Sequence, residues 1–471
     1  MVKRLVEQSI AELSGKIASG EVSAVEVVSK TIEQIKKLNK TINAFITVLE
    51  RQAVEDAERL DKELRLGGRP RSMLHGIPVA LKDIIYVRGV RCTAGSRILN
   101  SYVAEYDATV VKKLREAGAV IVGTNNLHEF ASGVTGVNPH YGAVRNPWDT
   151  ERIAGGSSSG SAAAVAACMV FASVGTDTSG SIRIPSALCG VVGFKPSYGR
   201  VSKFGVIPLS WSLDHVGPIT RTVRDAAIML KAMAGFDYSD DASVFVDVLD
   251  YPNMLERDMK NYRICYLRDI LPHEPPSYIR KMLDRVFEKL NSIGVEVAEM
   301  GFKYSAEQIR GCWAPIRLGE AAAFHDEWYR TRPGDYGDDV RKMLERGRGF
   351  SVIDYVKAQR LRIEIRNELL KILDAYHAVV TPTTLIPAPK VGEEKISLDG
   401  EVIDIYTALT TATILFNITG VPAITIPAEL SGEKLPLGLQ IASRPFDELT
   451  LLRLAYSLER EMGFSQRPLV S

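Results

Sequence analysis

A chain of 471 residues with 46% hydrophobic content carries enough apolar material for a sizeable core, whether as one large domain or as two to three ordinary ones. Its 58 basic and 57 acidic residues leave a formal charge of +1, which excludes a global field drawing it to nucleic acid or an anionic membrane. The longest largely apolar run, residues 162–174, is too short to span a bilayer, and the polar start with Glu7 and Glu12 is no secretory signal. Cys92, Cys168, Cys189, Cys265 and Cys312 are odd in number and far apart, without a CxxC pair or zinc-finger spacing, as expected of reduced thiols in a cytoplasmic protein.

In chain order, Ser23 to Glu26 fits a capping box, and Val25, Val28, Ile32 and Ile35 recur at helical spacing, predicting a helix over 23–38 and then a strand over 44–49. Ala53, Ala57, Leu60 and Leu64 mark one face of a second helix that Gly67-Gly68 ends. The run Val79-Ala80-Leu81 reads as a buried strand delivering Lys82-Asp83 at its end; a lone lysine there is ordinarily snorkelling or ion-paired. Val110, Val111 and Leu114 predict a helix ended near Gly118, and Val120-Ile121-Val122 a further strand. Alternation of this kind predicts an α/β sheet covered by helices on both faces. The loop 130–142, rich in glycine and proline, is expected to line a cleft.

Gly155-Gly156-Ser157-Ser158-Ser159-Gly160-Ser161 runs into an alanine-rich segment, and Gly175-Thr176-Asp177-Thr178-Ser179-Gly180-Ser181 follows it. Most of 161–174 reads as a small-residue helix with a strand-like return near 170–175, which brings Ser157 and Ser181, 24 residues apart, back together. A flexible linker does not usually run without a break into a buried apolar element, and a phosphate loop lacks its Gly-Lys-Ser/Thr ending. Residues 222–233 read as a helix, 238–261 as an acidic surface connection, and 263–300 as strand, helix and strand. A polar helical stretch continues to about 373. Buried strands are expected at 378–380, 423–426 and 437–441, and a closing helix over 448–462. Without internal repeats, one intertwined domain over 1–471 is expected, with a variable region at about 238–373.

A serine needs a base within hydrogen-bond reach to act as a nucleophile. His75, His128, His140, His215, His273, His325 and His377 are scattered, with neither metal-ligand spacing nor a telling acidic partner, so neither a Ser-His-Asp triad nor a metal site is expected. A lysine takes that role when burial lowers its pKa enough to leave it neutral, and Lys82 is the candidate.

The blocks Gly76 to Asp83, 155–167 and Gly175 to Pro185, in this order and spacing, closely resemble the amidase signature family of hydrolases, which implies a core of one large mixed sheet. The resemblance implies a Ser-Ser-Lys triad cleaving amide bonds without a cofactor: Ser181 the nucleophile, Ser157 the bridging serine preceded by a cis peptide, Lys82 the terminal base. It implies an oxyanion hole from the N–H groups of Thr178, Ser179, Gly180 and Ser181, a hydrogen bond from Ser158 within the relay, and substrate contacts from Phe130, Ala131, Ser132 and Gly133. Ser159 and Ser179 stand where many members have glycine, so a positive φ at Ser179 would add strain.

The expected activity is that of an amidase releasing acid plus ammonia or amine from a small apolar or aryl amide. The partners expected are that small molecule and a second copy of the chain, with neither membrane nor direct nucleic-acid contact. The alternative, also similar over the whole chain, is the glutaminase branch of tRNA-dependent amidotransferases, which works with partner subunits. That branch holds glutamine with an arginine and an aspartate, where this sequence has Lys342 or Met343 and Thr410; Arg341, Arg346 and Arg348 lie nearby.

Overall fold

The computed structural model describes residues 5–271, 274–398 and 400–470, so His273 lies outside the described residues. Eleven strands form one mixed sheet: β1 (Phe45–Val48), β2 (Pro78–Lys82), β3 (Val120–Asn125), β4 (Ala172–Asp177), β5 (Val192–Lys195), β6 (His215–Thr220), β7 (Arg263–Leu267), β8 (Glu296–Met300), β9 (Ala378–Pro382), β10 (Ala423–Leu430) and β11 (Pro436–Ser443). Their spatial order is β1-β3-β2-β4-β6-β5-β10-β11-β9-β7-β8. β3, β2 and β4 run parallel, as do β9, β7 and β8, and the strands between them pair antiparallel.

Helices cover both faces, as the α/β pattern predicts. Because side chains alternate along a strand, β3 sends Ile121 to one apolar cluster and Val120 and Val122 to another, and β9 divides Ala378 and Val380 from Val379 in the same way. β2 and β4 are buried along their whole length, which suits apolar runs in parallel strands covered on both sides.

Local chemistry sets the helix ends. In α1 (Ala24–Ile42) the Ser23 hydroxyl accepts from Glu26 N–H at 3.0 Å, and Asn43 ends the helix in the left-handed conformation at φ 58°, so α1 runs on to Ile42 rather than stopping at 38. The alanine-rich segment forms a shorter helix than 161–174 predicts. α2 (Ser159–Ala166) stops before Cys168, which takes φ 53°, and β4 begins at Ala172. Farther on, α3 (Arg183–Cys189) follows the second Gly/Ser block, and the predicted polar stretch resolves into α4 (Ala306–Phe324), α5 (Asp338–Arg348) and α6 (Val352–Ala375) with a short helix between. α7 (Ile405–Ile418) is a helix that the sequence pattern does not predict. All five cysteines are free and buried. No helix among the described residues is long and apolar enough to cross a membrane.

Candidate active site

Two parallel neighbours bring the motif blocks together. β2 and β4 pair with Leu81 opposite Val174, so Lys82 leaves the end of β2 beside Thr176. Lys82 is fully buried; its Nζ lies 2.7 Å from Ser157 Oγ and 2.9 Å from Thr176 Oγ1. Burial pulls the Lys82 ammonium down to about 7, against the attraction of Asp214 and Asp177. Among the described residues no carboxylate pairs with it directly, so the snorkelling and ion-paired expectations for a lone lysine do not describe this side chain.

Ser157 sits in the turn before α2, and the Gly156–Ser157 peptide is cis, as the family resemblance implies. Its carbonyl accepts from His128 N–H at 3.2 Å, while Ser158 N–H donates to the Ser181 carbonyl at 3.2 Å and ties the two serine blocks together. The Ser158 hydroxyl donates to the Thr176 carbonyl at 3.2 Å and accepts from Thr176 N–H at 3.3 Å. Thr176, read from sequence only as part of a block, therefore supplies the second oxygen at Lys82.

The loop after β4 is held by Asp177. Its carboxylate accepts from Gly180 N–H at 2.8 Å, Ile182 N–H at 3.1 Å and Asn417 Nδ2 at 2.8 Å, and pairs with Arg183 through Nε at 3.0 Å and Nη2 at 2.9 Å. Burial opposes its ionisation, yet Arg183 and these donors hold it below the usual carboxylate range. Arg183 in turn reaches Gln440 and Asn417, locking the loop to β11 and α7. Asp214 accepts from the Thr178 hydroxyl at 2.6 Å and from the N–H groups of Leu209 and Ser210.

Of the four expected oxyanion donors, the Gly180 N–H is occupied by Asp177, while those of Thr178, Ser179 and Ser181 meet no acceptor among the described residues. Gly180 carries the positive φ of this loop at 121°, and a Cβ there would stand 2.5 Å from Thr413 Oγ1. Ser179 takes no positive φ, so its side chain adds no backbone strain. Its hydroxyl accepts from Trp313 Nε1 at 2.9 Å, and Ser181 is only 4% exposed.

A cleft of about 640 Å³ opens beside this loop, lined among others by Ser132, Gly133, Trp313, Arg317, Lys342 and Met343. Its lining residue Gly133 packs against the residue before Ser157: a Cβ on Gly156 would lie 3.1 Å from the Gly133 carbonyl. Phe130 lies elsewhere, edge-on to His325 with ring centres 4.3 Å apart, and Ala131 is in the apolar core. Arg346 also faces the cleft, whereas Arg341 pairs with Asp338 and Arg348 with Asp326. Thr410 is buried, and its hydroxyl donates to the Tyr406 carbonyl of its own helix.

Each described histidine bonds elsewhere through a ring nitrogen, His128 to Asp339 at 2.6 Å and His215 to the Leu213 carbonyl at 2.7 Å, and none bonds Ser157 or Ser181. Among the described residues no group of three His, Cys, Asp or Glu is placed to hold a metal ion. Sequence reasoning missed Trp313 and Arg317, which reach the site from a helix more than 130 residues away.

The family profile described as Amidase matches residues 26–452. The A subunit of Glutamyl-tRNA(Gln) amidotransferase from Geobacter metallireducens is 39% identical over 480 residues, spanning 97% of each chain. Among solved structures, one from an inhibitor-bound, vestigial complex that reveals the evolutionary origins of an s-triazine catabolic enzyme superposes with a TM-score of 0.92 at 32% identity, covering 98% of this chain and 100% of that one. The corresponding amidotransferase chain of Thermotoga maritima gives 0.82 at 34% identity, covering 99% of both. The chain belongs to the amidase signature family of amide-cleaving hydrolases.

Proposed function

We propose that this chain hydrolyses a carboxylic amide through an acyl-enzyme on Ser181, with Ser157 as the relay and Lys82 as the terminal base. The observation that carries this reading is the fully buried Lys82, 2.7 Å from Ser157 and with its ammonium drawn down to about 7. A neutral amine takes the Ser157 proton as Ser157 takes that of Ser181, and Ser181 Oγ adds to the amide carbon. The open N–H groups of Thr178, Ser179 and Ser181 are the donors for the developing oxyanion, where removing one typically costs about 10²–10³ in rate. Reversal of the relay protonates the leaving nitrogen, and water then releases the acid. Ser158 and Asp177 hold the backbone in register.

The continuous sheet supports treating 1–471 as one domain, and the cleft residues from α4 and α5 support 238–373 as its substrate side. For the identity of the amide, the amidotransferase relatives support the glutaminase branch better than the stand-alone amidase. On that reading glutamine is the amide and partner subunits receive the ammonia. One observation favours the stand-alone reading: Thr410, where that branch is expected to carry an aspartate, offers no charge and is spent on its own helix.

Ammonia release by the purified chain, over glutamine and a panel of aliphatic and aryl amides with Ser181→Ala as control, tests both. Turnover abolished in the variant is expected; activity that survives it overturns the triad. Glutamine as the only substrate selects the glutaminase branch, and simple amides select the stand-alone enzyme.

A further inference from the structure

Arg317 is a deeply buried cation that lines the cleft. Arg183 has Asp177, and Lys195 is held by the Val421 carbonyl at 2.6 Å. Arg317 is 3% exposed and has no ion pair among the described residues. Its Nη2 donates to the Ser132 carbonyl at 2.6 Å, its guanidinium lies 5.3 Å from the centre of the Trp313 ring, and its Nε meets no acceptor. A buried guanidinium without a carboxylate is costly unless an anion completes it.

Of the four carboxylates lining the cleft, Glu394 makes no ion pair with Arg317 among the described residues and the other three are engaged elsewhere. Asp339 is bonded by His128, Asp404 caps α7 by accepting from Thr407 N–H, and Glu393 accepts from Lys390 N–H. Trp313 and Arg317 are four residues apart on α4 and so project from one face, about one helical turn from each other. Trp313 is the residue bonded to Ser179, two positions before Ser181. An anion on Arg317 would therefore lie on the helix face that also touches the loop carrying Ser181.

We infer that Arg317 anchors a carboxylate carried by the substrate, so that the preferred amides are short monoamides of dicarboxylic acids. This rests on the triad reading above and extends it. With Thr410 uncharged, the α-ammonium of an amino acid contributes little, so the desamino compounds rank with or above glutamine.

The test compares succinamate with butyramide and glutaramate with valeramide, each pair differing by a carboxylate in place of a methyl group. The wild-type chain is expected to favour the charged member by about 10–100-fold in kcat/KM. Arg317→Met is expected to collapse that ratio, with the loss mainly in KM, and Arg317→Lys to recover part of it. Calorimetric titration of Ser181→Ala with succinamate and butyramide reads the same preference without turnover. It therefore stands if the triad fails, and also if Arg317→Met does not fold. No preference for the charged member in that titration, or equal loss on both members in a folded Arg317→Met, overturns the inference.

Discussion

Lys82 and Asp177 have no exposed surface and sit at strand ends of one sheet, with the equally buried Ser157 beside them, whereas Lys342 and Arg346 stand exposed on α5 across the cleft. On the sheet side Lys82 and Asp177 have their partners within the fold: the Asp177 carboxylate takes six donors, and Lys82 has two hydroxyls. On the helix side Arg317 keeps an unpartnered Nε, and the charged residues lie at the rim. On the proposed mechanism the groups that transfer protons are over-determined by the core, while the group left incomplete is the one a ligand would complete. The same fold can thus keep its chemistry and change its substrate through one helical layer.

That contrast can be broken most severely on the sheet side. Ser181→Ala is expected to reduce kcat on the order of 10⁴–10⁶-fold, and Lys82→Met about 10²–10⁴-fold, both without loss of the far-UV circular dichroism of the native chain. Asp177→Asn leaves Arg183 buried and unpaired, so urea unfolding is expected to show a loss of about 3–5 kcal/mol. Because the Asp177 pKa is lowered by folding, this contribution is complete above the ordinary carboxylate pKa and is lost only as pH falls through the depressed one.

Smaller effects sharpen the comparison. Lys82 must be neutral to accept a proton, so kcat/KM on a neutral amide is expected to rise through about pH 7 and level off above it. A profile flat from pH 6 to 8 would remove Lys82 from the base role. Trp313→Phe keeps the ring and deletes one neutral hydrogen bond to Ser179. Steady-state kinetics should show a loss of about 2–10-fold, well below any sheet-side change.

The difference between the regions also explains what the sequence reveals. Lys82, Ser157 and Ser181 are legible because their blocks are local motifs whose strands pair directly, so short-range reading places them in three dimensions. Trp313 and Arg317 carry no such signal: their place depends on how α4 packs onto a loop far away in the chain. α7 escapes a reading by pattern because it is buried on nearly all sides, leaving no apolar and polar alternation to betray its period. The alanine-rich segment misleads for the same reason, its uniform composition hiding the helix end at Ala166.

The central claim is acyl transfer to Ser181. Intact-mass and peptide analysis of the chain, acid-quenched during turnover of a slowly hydrolysed aryl ester or amide, tests it most directly. The account predicts the acyl mass on the peptide containing Ser181, accumulating in the wild-type chain and absent from Ser181→Ala. An adduct on Ser157, or undiminished turnover by Ser181→Ala, would contradict it.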